Sequence, residues 1–289
     1  MKNRHARIAG LMLLVCAAPS MASDAPLRWA GCEAARAAFM NDLATAWASQ
    51  TGQQIDLARG DGLGGVREVA ADRADLGGAC TVSGSETPEA LGVEVHPVVW
   101  EALAVVVNPQ NPIAGLTREQ LHAVFAGEIT TWSEVGGPDQ PIRLFTLPGG
   151  REEMERAMGG AGAPAQTARF GAVLEYSDPY ALGEAVGRSP GAIGLTSAAS
   201  LKRSGLKVLP IGGVPPSTEK VKIGEYPLYR PLYLVVKPDS ERGDALRQFL
   251  QFAQSEAGRD LIRRDGVVPY TEALSLVVKR ASTNETPGL

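Results

Sequence analysis

Past position 22 the chain carries two cysteines, Cys32 and Cys80, and these are its most chemically versatile side chains. In an oxidising compartment a pair can close a disulfide. Kept reduced, two thiolates would suit a soft ligand such as Cu(I), mercury or a trivalent metalloid. Three histidines and no Cys-x-x-Cys make a structural zinc site improbable. His96 precedes Pro97 in an extended stretch, and His122 lies on a helix that already has an apolar face, so both are read as structural or solvated. The run Gly60-Asp61-Gly62-Leu63-Gly64-Gly65 is rich in glycine, yet no Lys-Ser/Thr follows it and no acid sits at a diagnostic nucleotide-site position. It is better suited to letting backbone approach a small ligand. A second glycine turn, Gly149-Gly150, leads into Arg151 and a helical stretch. There is no nucleophile-elbow signature and no paired acid, base and nucleophile. The chemistry on offer is binding, with no enzymatic reaction and no cofactor.

These turns need elements to hold them. Helical periodicity runs near 33–50, 64–72, 116–126, 150–158, 180–188 and 241–265. Strand-like runs fall near 27–30, 53–58, 93–107, 141–146, 192–195, 206–209 and 230–236. This alternation predicts an α/β fold with largely parallel sheets. In Leu116–Phe125 the apolar positions Leu121, Val124 and Phe125 share one face, Gly127 supplies a C-cap, and Ile129 and Trp132 follow as a structural plug. Ser282, Thr283, Asn284 and Pro287 give the end of the chain the composition of a frayed tail.

Export is legible at the other end. Lys2, Arg4 and Arg7 precede an apolar run from Ile8 to Ala18, and Ser20-Met21-Ala22 offers a small-x-small cleavage site. The run is too short to span a bilayer, so residues 1–22 are expected to be a cleaved signal peptide. Val15 is too large for the residue usually found before a lipidated cysteine, which argues against lipid attachment at Cys16. Cleavage after Ala22 moves the formal charge from −4 to −7. A soluble, mildly acidic exported chain of this kind is a poor partner for nucleic acid, for an anionic membrane surface or for insertion into a membrane. The hydrophobic content of 44% is ordinary for a globular protein. About 265 mature residues exceed one ordinary core and suggest two lobes.

The string Phe125–Gly137 resembles the F-x-G-x-I-x-x-W-x-x-(V/L)-G-G signature of periplasmic phosphate-binding proteins, the solute receptors of phosphate ABC transporters. Val99–Pro109 is similar to that family's first crossover strand, and Ser189–Leu195 to its P-G-A-I-G-Y turn. Tyr226–Val236 resembles its Y-P-L-x-R-P-L-Y return strand, and Gly258–Pro269 its final helix. Together these segments span about residues 27–272.

The resemblance implies a type II two-lobed periplasmic binding protein fold, each lobe a mostly parallel sheet flanked by helices, with the ligand in the cleft between lobes. It implies lobe one from 23–100 plus 237–270, lobe two from 101–236, crossover strands near 101–108 and 228–236, and a tail at 271–289. The implied partners are a small ion or molecule and a membrane permease or sensor, met by a monomer. The implied ligand-binding positions are Gly31, Cys32, Asp61, Gly62, Cys80, Gly149, Gly150 and Arg151. Here the chain departs from its relatives. Cysteines stand where the first and third loops carry hydroxyls. Leu144–Arg151 keeps only the closing Gly-x-Arg of Arg-x-x-Gly-Ser-Gly-Thr-Arg. Each lost charge-assisted hydrogen bond costs about 1.5–3 kcal/mol, so tight phosphate binding is not expected. Glu33, Glu101 and Asp61, if they line the cleft, would repel a dianion. The family geometry also makes Cys32 and Cys80 neighbours. A disulfide is the first expectation, a thiophilic metal or metalloid site the second. A periplasmic interaction or redox module that has lost solute binding is a further alternative.

Overall fold

In the computed structural model, which describes residues 25–59, 64–81, 88–147, 150–157, 173–176, 178–201 and 204–284, ten strands form one hydrogen-bonded system. They are β1 (Leu27–Gly31), β2 (Ile55–Arg59), β3 (Leu76–Ala79), β4 (Glu94–Val107), β5 (Arg143–Thr146), β6 (Leu174–Glu175), β7 (Ala192–Ser197), β8 (Lys207–Leu209), β9 (Tyr229–Val236) and β10 (Val268–Pro269). Their order is β2-β1-β3-β9-β4-β7-β5-β6, with β8 and β10 also paired to β4.

The long strand β4 divides this system in two. Its residues Glu94–Ala102 pair with β9, and Leu103–Val107 pair with β7. The switch falls between Ala102 and Leu103, so one strand belongs to two sheets. Strand β9 pairs along its length with β4 and over Tyr233–Val236 with β3, which places it in the first sheet. The chain leaves the second half just before it: Leu228 O accepts the Leu103 amide at 2.9 Å, and the buried Tyr226 hydroxyl donates to Leu103 O at 2.6 Å. Pairing is parallel among the outer strands and antiparallel wherever β4 or β9 takes part. Returning strands of this kind are largely buried on both faces, which explains apolar runs such as Ala102–Val107 and Leu234–Val236.

Each half has its own large core. Trp29, Phe39, Leu43, Trp47 and Phe249 pack in the first, and Phe125, Trp132, Leu144, Ile193 and Tyr226 in the second. The Trp132 plug is fully buried and donates through Nε1 to Gly191 O at 3.0 Å, which ties it to the turn before β7. The helix before it, Arg118–Ala126, opens with a reciprocal cap. Thr117 Oγ1 accepts from Gln120 N at 3.1 Å, and Gln120 Oε1 accepts from Thr117 N at 2.9 Å. Thr117→Ala removes one arm of that exchange. A loss of about 1 kcal/mol is expected, read as a shifted urea midpoint with unchanged slope.

Two stretches depart from their expected form. The helical run near 241–265 is two helices, Gly243–Gln254 and Glu256–Arg264. Ser255 ends one and caps the other: its hydroxyl donates to Phe252 O and accepts from Gly258 N. Gly258 permits the sharp turn, since a Cβ there would lie 2.3 Å from Phe252 O. The expected tail contains a helix, Ser275–Asn284. Leu276 is buried in the second core, and Lys279 donates to Gly224 O. Three contiguous apolar residues, Leu276–Val278, are too short a run to show a period, so only the tertiary contact reveals this helix. No described helix is long and apolar enough to cross a membrane, and residues 1–22 lie outside the described range.

Candidate functional site

The parallel register sets Gly31 at the end of β1 beside Gly78 near the end of β3. Glycine is required at both. A Cβ on either would lie 2.5 Å from Trp29 Cζ2, whose indole lies across both strands on one face of the sheet. The next residues therefore emerge side by side. Cys32 N donates to Gly78 O at 3.1 Å, and Cys32 and Cys80 are joined by a disulfide with Cα atoms 6.2 Å apart. That separation is within the ordinary range for such bonds. The first expectation for the cysteines is borne out. The bond consumes both thiols, so the soft-metal reading of Cys32 and Cys80 is corrected: neither sulfur is a free thiolate.

A third loop joins them. Helix Gly64–Ala70 begins over the same strand ends, and a Cβ at Gly65 would lie 2.5 Å from Gly78 O and 2.8 Å from Ala30 O. Gly31, Cys32, Gly65 and Cys80 thus form one cluster at the carboxyl ends of parallel strands, where open α/β sheets present ligand sites. Asp61 and Gly62 lie outside the described residues. The helix after Cys32 passes through a π-helical turn, Arg36–Met40, that no sequence signal announced.

The other candidates stand on the second half. Gly150 opens the helix Gly150–Ala157 just beyond β5, with its amide donated to Leu147 O at 2.8 Å. The Cβ position of Gly150 is 3.3 Å from Thr146 Cβ, and Arg151 is the next backbone position of the first turn. Gly149 lies outside the described residues. The halves meet through Ala199, which follows β7 and packs against the core that holds Cys32.

Beside the sheet switch lies a buried charge network that the sequence revealed only in part. Glu101 on β4 faces Arg230 on β9, residue opposite residue, two positions before the strand changes sheets. Arg230 Nε lies 2.7 Å and Nη2 2.6 Å from Glu101 Oε1, while Ser197 Oγ donates to Glu101 Oε2 at 2.6 Å. Glu153, on the helix that opens at Gly150, holds Oε2 at 3.6 Å from Arg230 Nη1 and accepts from Arg156 Nη2 at 2.9 Å. The Glu101 side chain is 0% exposed, Glu153 9% and Arg230 11%. Burial works against the charge on Arg230, but the carboxylates of Glu101 and Glu153 more than offset it, and its pKa lies above the usual value. Glu101 was anticipated as a cleft acid. Glu153, in a run of exposed-looking charges, carried no signal, and Arg230 was visible only as a member of a strand motif.

A family model described as a PBP superfamily domain matches residues 23–257. The phosphate-binding protein PstS of Bacillus subtilis is 29% identical over 182 residues, covering 61% of this chain and 58% of the relative. The chain thus spans about three-fifths of the length of the curated relatives it matches. Among solved structures, a Clostridium perfringens protein crystallised with bound phosphate superposes with a TM-score of 0.74 at 21% identity, covering 85% of this chain and 99% of that one. An ABC-type phosphate transport receptor from Vibrio cholerae gives 0.62 at 25% identity, covering 84% and 99%.

Proposed function

The chain belongs to the PBP superfamily, and from that premise we propose that it is an extracytoplasmic solute-binding protein that captures a small oxyanion without transforming it. The cluster of glycine-walled loops at the ends of β1 and β3 carries this reading. Helices begin beside it at Glu33 and Gly64, and a helix N-terminus favours an anion. The relatives' names support the class of ligand, since they are called phosphate-binding proteins. The protein acts as a monomer, delivered by the leader at 1–22. It closes its lobes about the sheet switch at Ala102–Leu103 and the crossing at Leu228, then presents the closed form to a permease or sensor.

The ligand set differs from that of a high-affinity phosphate site. Cys32 and Cys80 spend their sulfurs on each other, and Leu144, Pro148 and Gly150 supply no side-chain donor. At about tenfold per 1.4 kcal/mol, several lost donors take phosphate out of the nanomolar range. Isothermal titration at moderate salt is expected to give a phosphate Kd weaker than about 1 μM. Arg151→Ala is expected to abolish what remains. Sub-micromolar binding that survives Arg151→Ala would rule out this site assignment.

A further inference from the structure

Building on the reading of the cleft as an anion site, we propose that Glu153 is a resident counter-anion: it competes with the ligand for Arg230 and so sets how tightly small anions are held. The two carboxylates on Arg230 differ in kind. Glu101 is fully buried and fully used, with one oxygen on Nε and Nη2 and the other taking the Ser197 hydroxyl. It is a permanent neutralising partner. Glu153 reaches Nη1 at 3.6 Å, beyond a normal hydrogen bond, and its close partner is Arg156 on its own helix. Its hold on Arg230 is therefore mainly electrostatic, and it comes from a different half of the molecule.

Position gives this contact its consequence. Glu153 stands one turn into the helix that begins at Gly150 and Arg151, where the proposed anion would sit. An anion drawn to that turn encounters a carboxylate nearby and a guanidinium already engaged. Glu101, Arg230 and Glu153 together carry a net negative charge, balanced by Arg156, whose side chain is 31% exposed. A dianion entering a site with this balance finds no net positive charge to attract it, because both guanidinium groups already face carboxylates. The helix that supplies the ligand loop also supplies the ligand's competitor.

The test is titration of inorganic phosphate into the full-length mature protein, at low salt, for the wild type, Glu153→Gln and Arg156→Gln. Glu153→Gln keeps the shape and an acceptor for Arg156 while removing the charge, and it is expected to tighten phosphate at least about tenfold. Arg156→Gln frees Glu153 to close on Arg230 and is expected to weaken phosphate. A purely structural role for the helix would weaken binding in both. Unchanged or weaker binding in a folded Glu153→Gln overturns the proposal. If that variant does not fold, Glu153→Ala takes its place with the same two outcomes, and unchanged or tighter binding in Arg156→Gln overturns the proposal independently. Phosphate binding by the wild type with no gain in Glu153→Gln defeats this inference and leaves the oxyanion reading intact. No binding by any of the three defeats both.

Discussion

Replacing both Cys32 and Cys80 with serine is expected to lower stability by about 3–4 kcal/mol and the melting temperature by roughly 10 °C. The bond closes a loop across a separation of 48 residues, and in the chain-entropy account that constraint falls mainly on the unfolded state. The loop it closes includes β2, the Gly64–Ala70 helix and β3, so the unfolded chain regains the freedom of much of the first half. Addition of reductant to the wild type should reproduce the loss, and thiol counting of the oxidised mature protein should find no free sulfhydryl. Equal melting of the oxidised, reduced and doubly substituted proteins would show that strand pairing alone fixes this corner. The bond also bears on ligand choice: it holds the ends of β1 and β3 together without the hydroxyl donors that an oxyanion would otherwise find there.

Why some of this was legible in the sequence and some was not follows from the range of each interaction. Caps and turns are local, so Gly127 as a C-cap and Trp132 as a plug were anticipated from spacing within a dozen residues, whereas the Thr117–Gln120 exchange was not. The alternation of helices and strands was equally visible, because an amphipathic helix must repeat its apolar face. Sheet membership was not. Most residues of β4 and β9 are apolar on both faces, and such runs do not reveal which neighbour they pair with or where β4 passes from one sheet to the other. The Cys32–Cys80 pairing came from family resemblance, and the register Gly31↔Gly78 now supplies its physical cause. Glu153 stayed hidden because Arg-Glu-Glu-Met-Glu-Arg has the composition of a solvated helix face. Its burial depends on Arg230, a residue 77 positions away on another element.

Arg230→Met is expected to be the most damaging single substitution described here, at about 3–5 kcal/mol. The change preserves much of the volume of the side chain but leaves Glu101 wholly buried and without its counter-charge. The Ser197 hydroxyl alone cannot replace two guanidinium contacts at 2.6 and 2.7 Å. The loss should therefore come from the stranded carboxylate, not from missing packing, and a second substitution separates the two. Glu101→Gln in the Arg230→Met background removes the buried charge while retaining an oxygen for Ser197. Most of the stability is expected to return, since a buried ion pair replaced on both sides is often close to neutral. Glu101→Gln alone should cost less than Arg230→Met, because Arg230 keeps Glu153 as a partner. Urea titrations of the three variants give the coupling directly. A double variant as unstable as Arg230→Met would place the cost in packing at the sheet switch and leave the ion pair without a stabilising role.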